Sequence, residues 1–114
     1  MESSELMKWY RDLFVGQKAG QNTEEIVSRA EELDFVHGLY LITLASNGTD
    51  QLDLVRASSL IGRANAVRRL PMIVGIAVGK KEAIEVTMEI ARCVYVRDQA
   101  QDIRSWFLHP EGQV

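Results

Sequence analysis

Two short loops carry the residues of this sequence best suited to holding a small anion. The first is Asn47-Gly48-Thr49-Asp50, which follows Ser46. The second is Gly79-Lys80-Lys81, which precedes Glu82. Each loop follows an apolar run and leads into a helical pattern, so free backbone amides and a positive dipole end are expected at both. Lys80 and Lys81 add charge for a phosphate or a carboxylate. Ligands of open α/β sheets sit beyond the carboxyl ends of the strands, which is where both loops are expected. A plainer reading stands beside this one. Asn47-Gly48 is ordinary turn chemistry, Thr49 or Asp50 an ordinary helix cap, and Gly79 a simple strand end.

Other residues of chemical interest yield less. Gly75 to Lys80 has the spacing Gly-x-x-x-Gly-Lys, one residue short of a phosphate-binding P-loop. Lys81 stands where serine or threonine would bind magnesium, which argues against a nucleotide triphosphatase. His37 and His109 lie far apart, with no cysteine or paired carboxylate at ligand spacing, so no metal site is expected. Cys93 falls in an apolar stretch and reads as a small hydrophobe. Ser58-Ser59 lacks the flanking glycines of a nucleophile elbow. Arg56, Arg63, Arg68 and Arg69 form the main basic concentration, but without interleaved aromatics they read as a solvated helix face. Glu24, Glu31 and Glu32 read likewise. No acid, base and nucleophile receive distinct roles, so enzymatic activity and cofactor stay open.

The elements that must position these loops follow from hydropathy. Leu6, Trp9, Tyr10, Leu13 and Phe14 recur at spacings of three and four, which predicts a helix over 4–15. A second helix is predicted from Asn22, with Glu25 completing a capping-box arrangement and Ile26, Val27, Ala30 and Leu33 as its apolar stripe. Leu39–Ala45 and Met72–Val78 are almost continuously apolar, as strands covered on both faces are. A helix is predicted over 50–69, closed by Pro71. Another is predicted over 80–96, and a last short one over 99–108. The fold expected is therefore α/β: a small helix-rich single domain over 1–114, with two N-terminal helices followed by a βαβα unit. Its strands are expected to be adjacent and parallel, joined by a right-handed crossover. Cys93–Val96 offers a third strand if the preceding helix stops early.

Composition narrows the function classes. Hydrophobic residues make up 46% and charged residues 25%, as in ordinary globular chains. A net charge of −3 argues against a phosphate-neutralising nucleic-acid binder. The chain contains one cysteine, no signal-like amino terminus and no apolar run long enough for a membrane helix. A cytoplasmic location and no membrane association are expected.

Two strands make too small a sheet to stand alone, and neither carries the charge or proline that guards an exposed edge. A homo-oligomer is therefore expected, most simply a twofold dimer through the sheet edges. The alternative is contact through the outer helices, with Trp9, Tyr10, Trp106 and Phe107 as anchors. The function expected is a non-enzymatic oligomerising or partner-binding domain. The alternative is a module that binds a small anionic ligand at 46–50 and 79–82.

Overall fold

The computed structural model describes residues 6–45 and 51–108. Within them lies a mixed sheet of four strands in the order β1-β4-β2-β3. The strands are β1 (Trp9–Val15), β2 (Leu39–Leu44), β3 (Leu52–Arg56) and β4 (Ile73–Val78). Helices α1 (Thr23–Glu31) and α2 (Ala64–Arg68) lie on one face. Helices α3 (Lys80–Ala91) and α4 (Ile103–Leu108) lie on the other.

Two apolar clusters glue these layers together. On the first face Ile26, Ala30, Leu60 and Val67 pack with Leu41 and Ile76 of the sheet. On the second, Ala83, Val86 and Ile90 of α3 pack with Ile42, Val74 and Ala77. β2 and β4 are the central strands, and their residues supply both clusters. This is the two-sided burial that their uninterrupted apolar runs predict.

Three expectations need correction. The first helix is absent from 9–15, which forms β1 and pairs parallel with β4. Trp9 and Leu13 pack into the first cluster, Tyr10 and Phe14 into the second. A spacing of four is even, so each pair stays on one face of a strand as readily as on one stripe of a helix. The aromatic and β-branched content then favours extended chain.

The long helix expected over 50–69 is also replaced. Its described part contains β3, a 3-10 turn at Ala57–Leu60 and the short α2. Leu52, Asp53, Leu54 and Val55 pair in unbroken antiparallel register with Leu44, Thr43, Ile42 and Leu41. Gly62 has φ +74, a left-handed value that no continuous helix admits.

Finally, Leu39–Ala45 and Met72–Val78 are adjacent but antiparallel, with Leu39 opposite Val78 and Ile42 opposite Gly75. The insertion of β3 explains the reversal. β3 turns back along β2, and the chain then crosses β2 through α2 to enter β4 on its other side. The parallel pair is β1 with β4.

Other expectations match. α1 begins directly after Asn22, although the Asn22 side chain makes no capping bond. α3 begins after Gly79 and continues as a π-helical segment through Arg92–Arg97, so Cys93–Val96 is helical rather than a strand. α4 falls within the predicted last helix. No helix of the described residues is long and apolar enough to cross a membrane.

Candidate functional site

The end of the sheet where β4 finishes and β2 begins is held by one buried carboxylate. Glu82 lies in the first turn of α3 and is 7% exposed. Its Oε1 accepts the amide of Val78 at 2.8 Å and that of Ala19 at 3.2 Å. Its Oε2 accepts the amide of Lys18 at 2.7 Å. Burial opposes the charge of this carboxyl, but the three amides and the Lys18 charge outweigh it and hold its pKa below the ordinary value. Glu82 thereby fastens the turn after β1 to the end of β4. It also places a negative charge at the positive end of α3, the position the sequence reading reserved for a ligand.

Gly79 has φ +93 and precedes α3. Its amide donates to the Gly38 carbonyl at 2.8 Å, which closes the sheet end beside His37. Lys80 and Lys81 follow on the exposed first turn of α3. Asn47, Gly48, Thr49 and Asp50 lie outside the described residues. The shared edge expected for the two loops requires parallel strands. β2 and β4 are antiparallel, so Ala45 at the end of β2 and Gly79 at the end of β4 lie at opposite ends of the sheet.

A groove of about 290 Å³ opens on the α1 side of Val78. Its apolar wall is Ile26, Val36 and Val78, and its polar rim includes Lys18, Asn22 and His37. Arg29 also lines it, but its guanidinium is held by Asp34 through Nε at 2.9 Å and Nη2 at 3.2 Å. The hydrogen bonds from Arg29, aided by its charge, keep the Asp34 carboxyl below its ordinary pKa. Sequence reasoning did not bring Lys18, Asn22 and His37 together. They come from a turn, a helix cap and a strand approach, with no shared spacing.

The second exposed feature is the free side of β3. The Ala45 amide donates to the Gln51 carbonyl at 3.2 Å, and the β2–β3 register is regular from Leu44–Leu52 to Tyr40–Arg56. In an antiparallel ladder main-chain groups alternate in direction. Those of Asp53 and Val55 therefore face β2, and those of Leu52, Leu54 and Arg56 face outward. The Arg56 carbonyl accepts the Ser59 hydroxyl at 2.7 Å. Leu54 is 41% exposed.

The remaining candidates belong to the interior. Trp106 and Phe107 are buried, and Phe107 meets Tyr10 edge-on at 4.7 Å between ring centroids. These aromatics bind α4 to β1 and do not form an outer surface. Cys93 is buried beside Glu89, and burial followed by that contact pushes its thiol pKa up. Among the described residues no group of three or more His, Cys, Asp or Glu is placed to hold a metal ion. Comparison with protein-family models, curated proteins and solved structures finds no match to this chain.

Proposed function

We propose that this chain is a non-enzymatic oligomerising domain that forms a twofold dimer through antiparallel pairing of β3 with β3 of a second copy. The observation that carries this reading is the contrast between the two sheet edges. β1 presents exposed Arg11 and Asp12, and its register with β4 is broken between Trp9 and Phe14. Charge and irregularity of that kind guard an edge against further pairing. β3 also carries Asp53 and exposed Arg56, but its register is regular, it has no proline, and an exposed leucine stands at its centre.

A twofold axis through Leu54 satisfies the outward groups. Leu54 then faces its own equivalent, and Leu52 faces Arg56 in both directions. Every pair so formed has main-chain groups pointing towards each other. The two four-stranded sheets become one continuous sheet, and symmetric pairing of this kind closes without growing into a fibre.

Light scattering coupled to size-exclusion chromatography tests the proposal. The expected mass is twice the 12.9 kDa of the chain. Leu54→Pro removes only an outward amide, so the β2–β3 ladder survives and a folded monomer is expected. A wild-type species of 12.9 kDa at every concentration would refute the dimer.

A further inference from the structure

We infer that the groove between α1 and the end of β4 binds a small organic anion, a phosphate ester or carboxylate with a short apolar body. Its volume, about 290 Å³, lies at the lower edge of the range for small-ligand sites, roughly 300–1,000 Å³. The wall of Ile26, Val36 and Val78 suits an apolar body. Lys18 stands on the rim as a charge-bearing group, with Asn22 and His37 beside it as hydrogen-bonding groups. Among the described residues neither Lys18 nor His37 takes part in an ion pair.

The other two charges of the groove, Arg29 and Glu25, are partly matched. Arg29 has Asp34 on one side, and its Nη1 lies 3.9 Å from Glu25, the carboxylate that lines the groove. Glu25 is thus partly neutralised, and the Lys18 ammonium, with the side-chain N–H donors of Asn22 and His37, sets the preference for an anion. The frame is also fixed before any ligand arrives. Glu82 holds the backbone of Lys18 and of Val78, and the Gly79–Gly38 bond holds the chain beside His37. Preorganisation of this kind lowers the ordering cost of binding.

This site is distinct from the first turn of α3, where Lys80 and Lys81 are the rival anion-binding pair that the sequence suggests and Glu82 already faces the helix end. The two are separated by amide chemical shifts during titration of the full chain with phenyl phosphate, with phenol as the neutral control. Saturable shifts at Lys18, Asn22, His37 and Val78 are expected with phenyl phosphate and not with phenol. Lys18→Ala with His37→Ala should weaken binding about tenfold or more, as loss of charge-assisted hydrogen bonds does. Lys80→Ala with Lys81→Ala should leave it within about twofold, because screened charges outside the groove contribute little. Absence of saturable shifts at millimolar-order probe (roughly a thousandfold weaker than micromolar binding) overturns the inference. So does a response that follows Lys80 and Lys81.

Discussion

The carboxylate of Glu82 fills the space that any side chain at Gly16 would need. A Cβ placed on Gly16 would lie 2.1 Å from Glu82 Cγ and 2.3 Å from its Oε1. The absence of a side chain at one position is what lets a charged one be buried at the other. That pair joins the end of β1, the turn at Lys18–Ala19 and the head of α3.

Gly16→Ala is expected to destabilise the fold by about 1–3 kcal/mol, the usual cost of overpacking. The added methyl meets the carboxylate directly, so the penalty should shrink when Glu82 is also replaced by alanine. A coupling of about 0.5–3 kcal/mol in a double-mutant cycle is the expected signature of contacting residues. Urea unfolding of the four proteins measures it, and simple additivity would separate Gly16 from Glu82.

Glu82→Gln tests the charge itself. The folded pKa of Glu82 is lowered, so its contribution to stability is fully present above the unfolded value, about 4.3, and is lost as pH falls through the folded value. The wild type should therefore lose more stability on acidification below that range than the variant does. Near neutral pH the variant should be less stable by about 1–3 kcal/mol, since one buried amide loses its acceptor. Parallel pH profiles for the two proteins would sink the idea that this carboxylate is charged when folded.

The central strands were legible because β2 and β4 are apolar on both faces, a pattern that few other elements produce. α1 was legible from its apolar stripe and its start after Asn22, and α3 from its start after Gly79. The stripe expected on α3, Ile84, Met88, Ala91 and Tyr95, is not the packed one. Ile84, Met88 and Tyr95 are exposed, and Ala83, Val86 and Ile90 face the sheet. β1 was not, because Trp9-Tyr10 and Leu13-Phe14 recur at a spacing that helix and strand share. β3 was masked by helix-favouring neighbours, and its alternation of Leu52, Asp53 and Leu54 is only a few residues long. Strand direction depended on finding β3, so β2 and β4 were read as neighbours but in the wrong relative direction. The Glu82 contacts were illegible for a different reason. They connect residues 64 positions apart through backbone amides, which carry no sequence signature.

Phe107→Ala should cost about 3–5 kcal/mol, as deletion of a buried aromatic ring does. Phe107 is 2% exposed and packs edge-on against Tyr10 and Trp106, with centroids at 4.7 and 4.9 Å. The loss should appear in thermal unfolding and in the near-ultraviolet circular dichroism of the aromatic cluster. An unchanged melting temperature combined with a changed oligomeric mass would instead make Phe107 an interface residue.

Hydrogen exchange gives the sharpest reading of the β3 edge, because neighbouring residues carry opposite expectations. The amides of Asp53 and Val55 face β2, so they should be protected in monomer and dimer alike. The amides of Leu52, Leu54 and Arg56 face outward, and protection there requires a second strand. In the wild-type dimer all five positions of β3 should therefore exchange slowly. In Leu54→Pro, Leu52 and Arg56 should become fast while Asp53 and Val55 stay slow, since local exposure of an amide sets its exchange where the fold persists. Loss of protection at all of them would mean that the proline had unfolded the hairpin rather than opened an interface. Fast exchange at Leu52, Leu54 and Arg56 already in the wild type, with Asp53 and Val55 slow, would place any association away from β3.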